Sequence, residues 1–275
     1  MTVAEALRDA AARLGTDWAR DEAEMLMAHA LGVTRSAMLL HHMREPVPTA
    51  FEAMLTRRLT DEPVAYILGE TEFYGRRFRV TPDVLIPRAD SETTLLAALD
   101  ACPAPARVLD CGTGSGCLLL SLLAERPRAR GIGIDRSNAA LAVAGENARA
   151  LGVTARAELR LADWARSGWA SDLGSFDLVI ANPPYVEENA ELDHSVRGYE
   201  PGGALFAGPD GLEAYRALIP QLPAMLAAGG AAVLEIGYAQ AEAVTAIAAA
   251  AGLKTELRRD LAGRPRALTL RQSCG

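Results

Sequence analysis

The chain has 275 residues, of which 50% are hydrophobic and 23% are charged, and its formal net charge is −7. This length allows one large domain or two ordinary ones, and the composition is typical of a globular protein and not of a disordered chain. The acidic balance argues against a protein that holds nucleic acid mainly by neutralising phosphates, although it is compatible with a local basic patch.

Three further kinds of protein do not fit the sequence. The apolar runs are far shorter than the ~20 residues that a membrane-spanning helix needs. The first residues mix Glu5, Arg8 and Asp9 into an Ala/Leu pattern, unlike the basic and apolar regions of a signal peptide. The four cysteines have neither a CxxC spacing nor a matching histidine pair. We therefore expect reduced thiols, no metal site and a cytoplasmic location.

The first seventy residues show the spacing of amphipathic helices. Apolar residues recur every three or four positions in 4–14 and again in 21–31, and a glycine follows each run. A third helix is predicted over 49–59. These patterns predict a small helical bundle over 1–71 that carries no chemistry of its own.

The segment 72–86 differs in composition from the helical block. Aromatic residues and a valine lie on both sides of Gly75, which predicts two short strands joined by a turn. We predict a β-hairpin linker here, with the domain boundary inside it. A dense basic cluster is formed by Arg76, Arg77 and Arg79. The simpler interpretation is a solvated edge of the hairpin, and the more specific one is contact with a macromolecular substrate.

From residue 87 onward, short apolar runs with polar C-terminal ends alternate with helical patterns. This alternation predicts a parallel sheet with helices on both faces, and the last two runs predict a hairpin at the edge of that sheet. The strand patterns cover 107–110, 131–135, 158–163, 176–182, 231–236, 253–260 and 265–271, and the helical patterns cover 117–126, 137–151, 211–228 and 239–251.

A glycine-rich segment, Asp110–Gly116, lies between the first of these strands and the following helix. Its alternate glycines allow a sharp turn and the close approach of a ligand, and the helix N-terminus offers free N–H groups. A dinucleotide fingerprint would have its third glycine at 117, where this chain has Cys117. The segment therefore suits a cofactor with a carboxylate and a nucleoside, and a plain tight turn is the alternative.

Acidic residues end the next two strands. Asp135 comes about twenty residues after the glycines, where a carboxylate can accept hydrogen bonds from both hydroxyls of a ribose. An N-cap role in this segment is the alternative. Asp163 and Trp164 end the following strand, where a carboxylate can accept from an exocyclic amine while the ring covers a purine. For Trp164 alone, packing at the edge of the core is an equally good explanation.

The motif Asn182-Pro183-Pro184-Tyr185 closes the fourth strand, at the edge where open α/β sheets bind ligands. The prolines fix the backbone and remove N–H groups, which leaves rigid carbonyl acceptors. The Asn182 side-chain oxygen and the Pro183 carbonyl can then accept both protons of an NH₂ group and direct its nitrogen toward a methyl donor. Tyr185 would supply an aromatic wall. A rigid turn is the alternative, and it explains these four residues less well.

These motifs resemble the HemK/PrmC-type release-factor glutamine methyltransferases, which depend on S-adenosylmethionine. The resemblance covers most of the chain, although Ala89 and Ser91 depart from the family's IPRPDTE run. Besides the motifs above, it rests on EPVAYILG at 62–69, LIPRADSE at 85–92, YEP with AL in 199–205, DGL with YR in 210–216 and DLAGR at 260–264.

The resemblance implies an α/β fold, with a seven-stranded Rossmann-like class I methyltransferase domain at 87–275 preceded by a small helical bundle that helps to recognise the substrate protein. It implies a release factor as partner, whose GGQ glutamine is methylated at N5 with S-adenosylhomocysteine as the second product. We assign the cofactor to Gly112, Thr113, Gly114, Ser115, Gly116, Asp135, Asp163, Trp164 and Asn182; the substrate glutamine to Asn182, Pro183, Pro184 and Tyr185; and catalysis to Asn182, Pro183 and Tyr185.

Three other functions use similar motifs. An N6-adenine methyltransferase would clamp its amine in the same way, but its nucleic acid would require a broad basic face, which the net charge of −7 disfavours. The catalytic motifs scarcely distinguish a glutamine methyltransferase that acts on a ribosomal protein from one that acts on a release factor. A noncatalytic S-adenosylmethionine-binding protein fits poorly with an intact glycine loop and an intact NPPY motif. We therefore expect neither a nucleic-acid substrate nor a membrane partner.

Overall fold

The computed structural model describes residues 1–272, so Cys274, one of the four cysteines expected to be reduced, lies outside the described residues. Contacts divide the chain into two compact units. The first comprises 1–70 together with 192–199, and the second comprises 71–191 together with the chain from 200 onward. Among residues 1–272, no helix has both the length and the apolar character needed to cross a lipid bilayer.

The chain forms thirteen α-helices and nine strands within the described range. The helices are α1 (Val3–Leu14), α2 (Ala19–Leu31), α3 (Arg35–Ala37), α4 (Thr49–Arg58), α5 (Val64–Leu68), α6 (Ser91–Ala101), α7 (Cys117–Glu125), α8 (Asn138–Ala150), α9 (His194–Tyr199), α10 (Gly202–Leu205), α11 (Glu213–Leu218), α12 (Leu222–Met225) and α13 (Ala241–Ala250). The strands are β1 (Glu70–Phe73), β2 (Arg76–Arg79), β3 (Arg107–Cys111), β4 (Arg130–Asp135), β5 (Ala157–Leu161), β6 (Phe176–Ala181), β7 (Leu226–Glu235), β8 (Leu253–Arg259) and β9 (Pro265–Gln272).

The first unit is helical, and the three helices predicted there are confirmed as α1, α2 and α4. Helix α1 begins with a capping box, in which the side chains of Thr2 and Glu5 each accept a hydrogen bond from the other residue's backbone N–H. Apolar side chains of all three helices form one buried cluster. Helix α9 joins this unit, where the Tyr199 hydroxyl donates to the Thr60 carbonyl at 2.6 Å. No pattern in the sequence indicated that 192–199 belongs here.

The second unit contains the seven-stranded sheet, in the order β5-β4-β3-β6-β7-β9-β8. Strands β3 to β7 pair in parallel, and β9 is antiparallel to both of its neighbours. The predicted α/β class and the terminal hairpin are therefore confirmed. Because β3 to β7 are parallel, their carboxyl ends lie along one edge, and the motifs predicted to bind cofactor and substrate follow the ends of β3 to β6.

Alternating side chains of the central strands supply two apolar cores, one on each face of the sheet. Leu109, Val179 and Leu234 belong to one cluster of buried residues. Their chain neighbours Val108, Leu178 and Val233 belong to the other. This period of two arises because successive side chains of a strand point to opposite faces. Burial on both faces holds the strand ends, and with them the site, in fixed positions.

The predicted continuous helix over 211–228 is wrong. Helix α11 ends at Leu218, a 3₁₀ turn and the short helix α12 follow, and β7 begins at Leu226. Pro220 and Pro223 lack the backbone N–H that a continuous helix needs and would clash with its preceding turn, so the chain forms short helical pieces there. Leu226 already pairs with Phe176 of β6. The apolar run was therefore partly helix and partly buried strand.

The two short strands predicted near residue 75 are β1 and β2. Tyr74 and Gly75 form their turn with φ of 51° and 68°, and the turn is closed by the T-shaped contact of two buried phenylalanines, Phe73 and Phe78. Arg76 pairs with Glu125 at 2.5 Å, and Arg79 pairs with Glu146 at 2.9 Å. These pairs join the hairpin to α7 and α8, which favours the structural interpretation for both arginines.

Candidate active site

A cavity of about 520 Å³ lies at the carboxyl edge of the sheet. Its wall is built by the loops that follow β3, β4, β5 and β6, and by the segments that include Arg88 and Ala204. Of the residues predicted to bind cofactor or substrate, it brings together Gly112, Thr113, Gly114, Ser115, Asp135, Asp163, Trp164, Asn182 and Pro184. Gly116, Pro183 and Tyr185, although described by the structure, do not line it.

The glycine loop turns back sharply between β3 and α7. Gly112, Gly114 and Gly116 all have positive φ (77°, 54° and 83°), a conformation that other residues seldom adopt. A Cβ atom at 112 would lie 3.0 Å from the ring of Trp164, and one at 116 would lie 2.7 Å from Leu120. Gly112 therefore allows Trp164 to lie directly against the loop, whereas Gly116 allows α7 to pack closely.

Asp135 connects the glycine loop to the turn after β4. Its Oδ2 accepts a hydrogen bond from the Gly114 N–H at 3.0 Å, and its Oδ1 accepts from the Ser137 N–H at 2.9 Å. Ser137 is the N-cap of α8, since its hydroxyl accepts from the Ala140 N–H at 3.1 Å. Each oxygen of Asp135 retains a further lone pair, so the carboxylate can still accept hydrogen bonds from a ligand in the cavity.

Asp110 is a buried acid in the cavity wall that the sequence analysis did not count among the site residues. Its Oδ2 accepts from the Thr113 hydroxyl at 2.7 Å, and its Oδ1 has no partner within the described part of the chain. Burial raises the pKa of Asp110 to about 7; the hydrogen bond from Thr113 opposes this rise and the nearby Asp135 adds to it. A buried oxygen without a partner can receive a hydrogen-bond donor or a cation. Asp110 lies near the end of β3 and begins the glycine-rich segment, and this position was the signal available in the sequence.

The backbone of Trp164 is held by Gln221, a residue distant in the sequence. Gln221 donates from Nε2 to the Trp164 carbonyl at 3.0 Å, and its Oε1 accepts from the Trp169 indole at 2.7 Å. These bonds fix which way the Gln221 amide faces. The adjacent Asp163 accepts from the Ala165 N–H at 2.9 Å. Trp164 itself lines the cavity, so its indole is available for a flat ring to stack against.

Asn182 lies directly after β6 and lines the same cavity as the glycine loop. Its Nδ2 donates to the Ser91 hydroxyl at 3.4 Å, so its Oδ1 is the end that can accept from a ligand. Pro184 also lines the cavity, whereas Pro183 is buried. The Tyr185 carbonyl accepts from Gln240 Nε2 at 3.0 Å, and burial raises the pKa of its phenol to about 12. The tyrosine is therefore neutral at ordinary pH.

An ion pair between the buried Glu200 and the partly exposed Arg88 joins two segments of the cavity wall. Glu200 accepts from the backbone N–H of Ile86 at 3.1 Å and from the guanidinium of Arg88. Arg88 and the neighbouring Pro201 both line the cavity. Arg88 and Glu200 lie in runs that carry the family resemblance, but neither residue was predicted to have a role, because a pair 112 positions apart shows no local pattern.

Comparisons with known proteins agree with this architecture. A family model of the PrmC N-terminal domain matches residues 5–69, and a model of a methyltransferase domain matches residues 104–235. A ribosomal protein L11 methylase from Lactobacillus delbrueckii subsp. bulgaricus, solved as a crystal structure, aligns with a TM-score of 0.50 at 23% identity, covering 67% of this chain and 79% of its own. That likeness shows the methyltransferase fold alone.

Curated relatives extend the match to almost the whole chain. The release factor glutamine methyltransferase of Cereibacter sphaeroides is 48% identical over 281 residues, which cover 98% of this chain and 99% of the relative. Its namesake from Moorella thermoacetica is 42% identical and covers 97% of each chain. Another, from Rhodospirillum rubrum, is 42% identical over 94% of this chain and 80% of its own. Identity at this level along both units shows that the chain belongs to the release factor glutamine methyltransferase family.

Proposed function

We propose that this protein transfers a methyl group from S-adenosylmethionine to the side-chain amide nitrogen, N5, of the glutamine in the GGQ motif of a peptide chain release factor. The observation that carries the proposal is a single cavity that joins the glycine loop, Asp135 and Trp164 to Asn182. The relatives named above support the choice of acceptor, because each is named for a release factor glutamine.

The residues in the cavity wall fit S-adenosylmethionine. Asp110, with its buried unpartnered oxygen, would hold the ammonium group of the amino-acid end. Asp135 would accept from the ribose hydroxyls with its remaining lone pairs, and Asp163 and Trp164 would bind the adenine. When bound, the cofactor supplies an electrophilic methyl group on a positively charged sulfur.

Asn182 would orient the acceptor amide. An amide nitrogen is a weak nucleophile because its lone pair is delocalised into the carbonyl group. Hydrogen bonds from the substrate NH₂ to Asn182 Oδ1 and to the Pro183 carbonyl would raise the electron density on nitrogen and direct it toward the methyl group. A bond would form between this nitrogen and the methyl carbon while the methyl–sulfur bond of the cofactor breaks, with S-adenosylhomocysteine as the leaving group and one proton released from the nitrogen to solvent. We assign no general base, so catalysis would come from positioning and electrostatics.

Recognition of the rest of the release factor would fall to other parts of the chain. We propose that the helical unit at 1–70 and the hairpin supply it, since the cavity accommodates a cofactor and one side chain and not a protein surface. Arg76 and Arg79 already pair with Glu125 and Glu146, so this part of the proposal rests mainly on the helical unit.

Methyl transfer to competing acceptors tests the proposal directly. The purified protein would be incubated with methyl-labelled S-adenosylmethionine and, in separate reactions, a release factor, a ribosomal protein preparation, and DNA or RNA. We expect label in the release factor alone, mapped by mass spectrometry to the GGQ glutamine. A release factor with that glutamine replaced by alanine is the matched control and should stay unlabelled. Label in a ribosomal protein or in nucleic acid would replace the proposed acceptor with that one.

A further inference from the structure

The wall of the cavity includes a segment, 201–207, to which the proposed function gives no role; we call it the wall segment. Its cavity-lining residues are Pro201, Gly203, Ala204, Phe206 and Ala207. The segment contains α10, whose single turn is closed by the Phe206 N–H, which donates to the Gly202 carbonyl at 3.0 Å. A ligand that fills the cavity therefore lies against this segment.

Both ends of the wall segment are bonded to other parts of the second unit. Directly before it, Glu200 accepts a hydrogen bond from the Ile86 N–H at 3.1 Å. At its far end, the Val186 N–H donates to the Leu205 carbonyl and the Val186 carbonyl accepts from the Ala207 N–H, both at 2.9 Å. These bonds fix the two ends, and the stretch between them needs a support of its own.

Arg136 supplies that support from the loop after β4. It directly follows Asp135, and its Nη2 donates to the Gly203 carbonyl at 2.8 Å. Within residues 1–272, no carboxylate pairs with its guanidinium, so the bond to this carbonyl is what holds it. Arg136 and Gly203 both line the cavity and are both exposed. Their contact therefore lies at the edge where the cavity meets solvent, and it links the loop that carries Asp135 to the wall segment.

The lack of a side chain at Gly203 makes this contact possible. The φ of Gly203 is not positive, so its backbone conformation does not itself require glycine. A Cβ atom there would overlap Nη2 of Arg136 and lie 3.2 Å from Cζ. At the neighbouring Gly202, a Cβ atom would meet the Phe206 ring at 3.7 Å, which is an ordinary van der Waals contact. Gly203 therefore gives the guanidinium the space that it occupies.

We propose that Arg136 is a positioning residue that holds the wall segment at the solvent edge of the cavity and so retains bound S-adenosylmethionine, an inference that rests on the function proposed above. A nucleoside whose ribose is bound by Asp135 lies next to Arg136, the following residue in the chain. It leaves through this edge when the bond from Arg136 to Gly203 opens. A bond from a charged donor is stronger than one from a neutral donor, although exposure to water reduces its contribution. The contact therefore slows release of the cofactor.

The rate of cofactor release measures this contact without any acceptor. The protein would be loaded with methyl-labelled S-adenosylmethionine and mixed with an excess of unlabelled cofactor, and the bound label would be followed over time. We expect Arg136→Ala to release label about three- to tenfold faster than wild type, as for one lost hydrogen bond. Because only protein that has bound label contributes, poor folding would lower the amplitude and leave the rate unchanged. A wild-type rate in Arg136→Ala would overturn the inference, whereas a wild type that binds no label would contradict the proposed function.

A second variant breaks the same contact without altering Arg136. Gly203→Ala should speed release as much as Arg136→Ala does, because the added Cβ displaces the guanidinium. The double variant should release label no faster than either single variant, since both substitutions remove one bond. Gly202→Ala adds a Cβ atom in the same turn, leaves the contact in place and is the matched control, with a wild-type rate expected. Additive effects of the first two substitutions, or equally fast release from Gly202→Ala, would contradict the inference.

Discussion

The two sides of the cavity are built in different ways. The nucleoside side, as we call the part of the wall proposed to bind the nucleoside, comprises residues 112–115, Asp135, Asp163 and Trp164. These residues come from loops directly after β3, β4 and β5, and their positions depend on backbone N–H groups and glycine conformations. On the side that we propose to bind the acceptor, the Asn182 amide donates to the hydroxyl of Ser91, a residue of the distant helix α6. The first arrangement suits a ligand that recurs in every reaction cycle. The second suits a clamp whose orientation must be exact for one bond to form.

If this comparison is right, the largest effect on rate should come from the acceptor side. We expect Asn182→Ala to lower the rate of methyl transfer by roughly 10²–10³, by analogy with the loss of one preorganised polar contact. Single-turnover measurements at saturating cofactor would report the rate, and calorimetry with S-adenosylhomocysteine would report separately any loss of cofactor affinity, since Asn182 is also assigned to the cofactor. A wild-type rate would show that Asn182 does not orient the acceptor.

The largest effect on affinity should come from Asp135. Its replacement by alanine removes an acceptor for the ribose and the bond to the Gly114 N–H, so we expect affinity for S-adenosylmethionine to fall about 10- to 100-fold. Titration calorimetry measures this, with Asp172→Ala as a control for the loss of an exposed carboxylate in the same unit. Equal affinities for wild type and Asp135→Ala would show that Asp135 does not bind the ribose.

A smaller loss of affinity is expected from Gly112→Ala. The substitution places a side chain at φ 77°, which costs ~1–2 kcal/mol, and its Cβ would press on the Trp164 ring at 3.0 Å. We expect about tenfold weaker cofactor binding from Gly112→Ala, because the added Cβ would displace the Trp164 ring and such overpacking typically costs ~1–3 kcal/mol. Gly114→Ala is the control, because its φ is also positive but no atom lies within 4 Å of the added Cβ. Identical losses in both variants would show that only backbone strain matters and that the position of Trp164 does not.

The smallest effect should come from Gln221, a residue distant in sequence whose amide holds the Trp164 carbonyl. Gln221→Leu removes the bonds to the Trp164 carbonyl and the Trp169 indole, and we expect about threefold weaker cofactor binding and altered tryptophan fluorescence. Gln272→Leu removes an exposed glutamine bond to the Pro223 carbonyl and serves as the control. Unchanged fluorescence in Gln221→Leu would mean that Trp164 keeps its place without this bond.

The nucleoside side could largely be predicted from sequence, because its residues follow strand ends and carry local signals. The glycines at 112–116 and Asp135 lie in short segments whose spacing reports their geometry. The α/β sheet could be predicted for the same reason, since each strand is a short apolar run. The helix predicted over 211–228 was wrong because two prolines inside that apolar run, Pro220 and Pro223, were not taken as signals that end a helix.

The acceptor side could be predicted only in part. The NPPY motif identified Asn182, but the hydrogen bond that orients its amide joins residues 91 and 182, and such a separation has no periodic pattern. The same holds for the pair of Arg88 with Glu200 and for the inclusion of 192–199 in the helical unit. The roles of Pro183 and Tyr185 stay predictions, because neither lines the cavity.

A crystal structure with S-adenosylhomocysteine and a GGQ-containing fragment of a release factor would test the central claim most directly. The account predicts the adenine against Trp164, the ribose on Asp135, and the glutamine NH₂ between Asn182 Oδ1 and the Pro183 carbonyl. A glutamine side chain bound with its NH₂ away from Asn182, or outside this cavity, would contradict it.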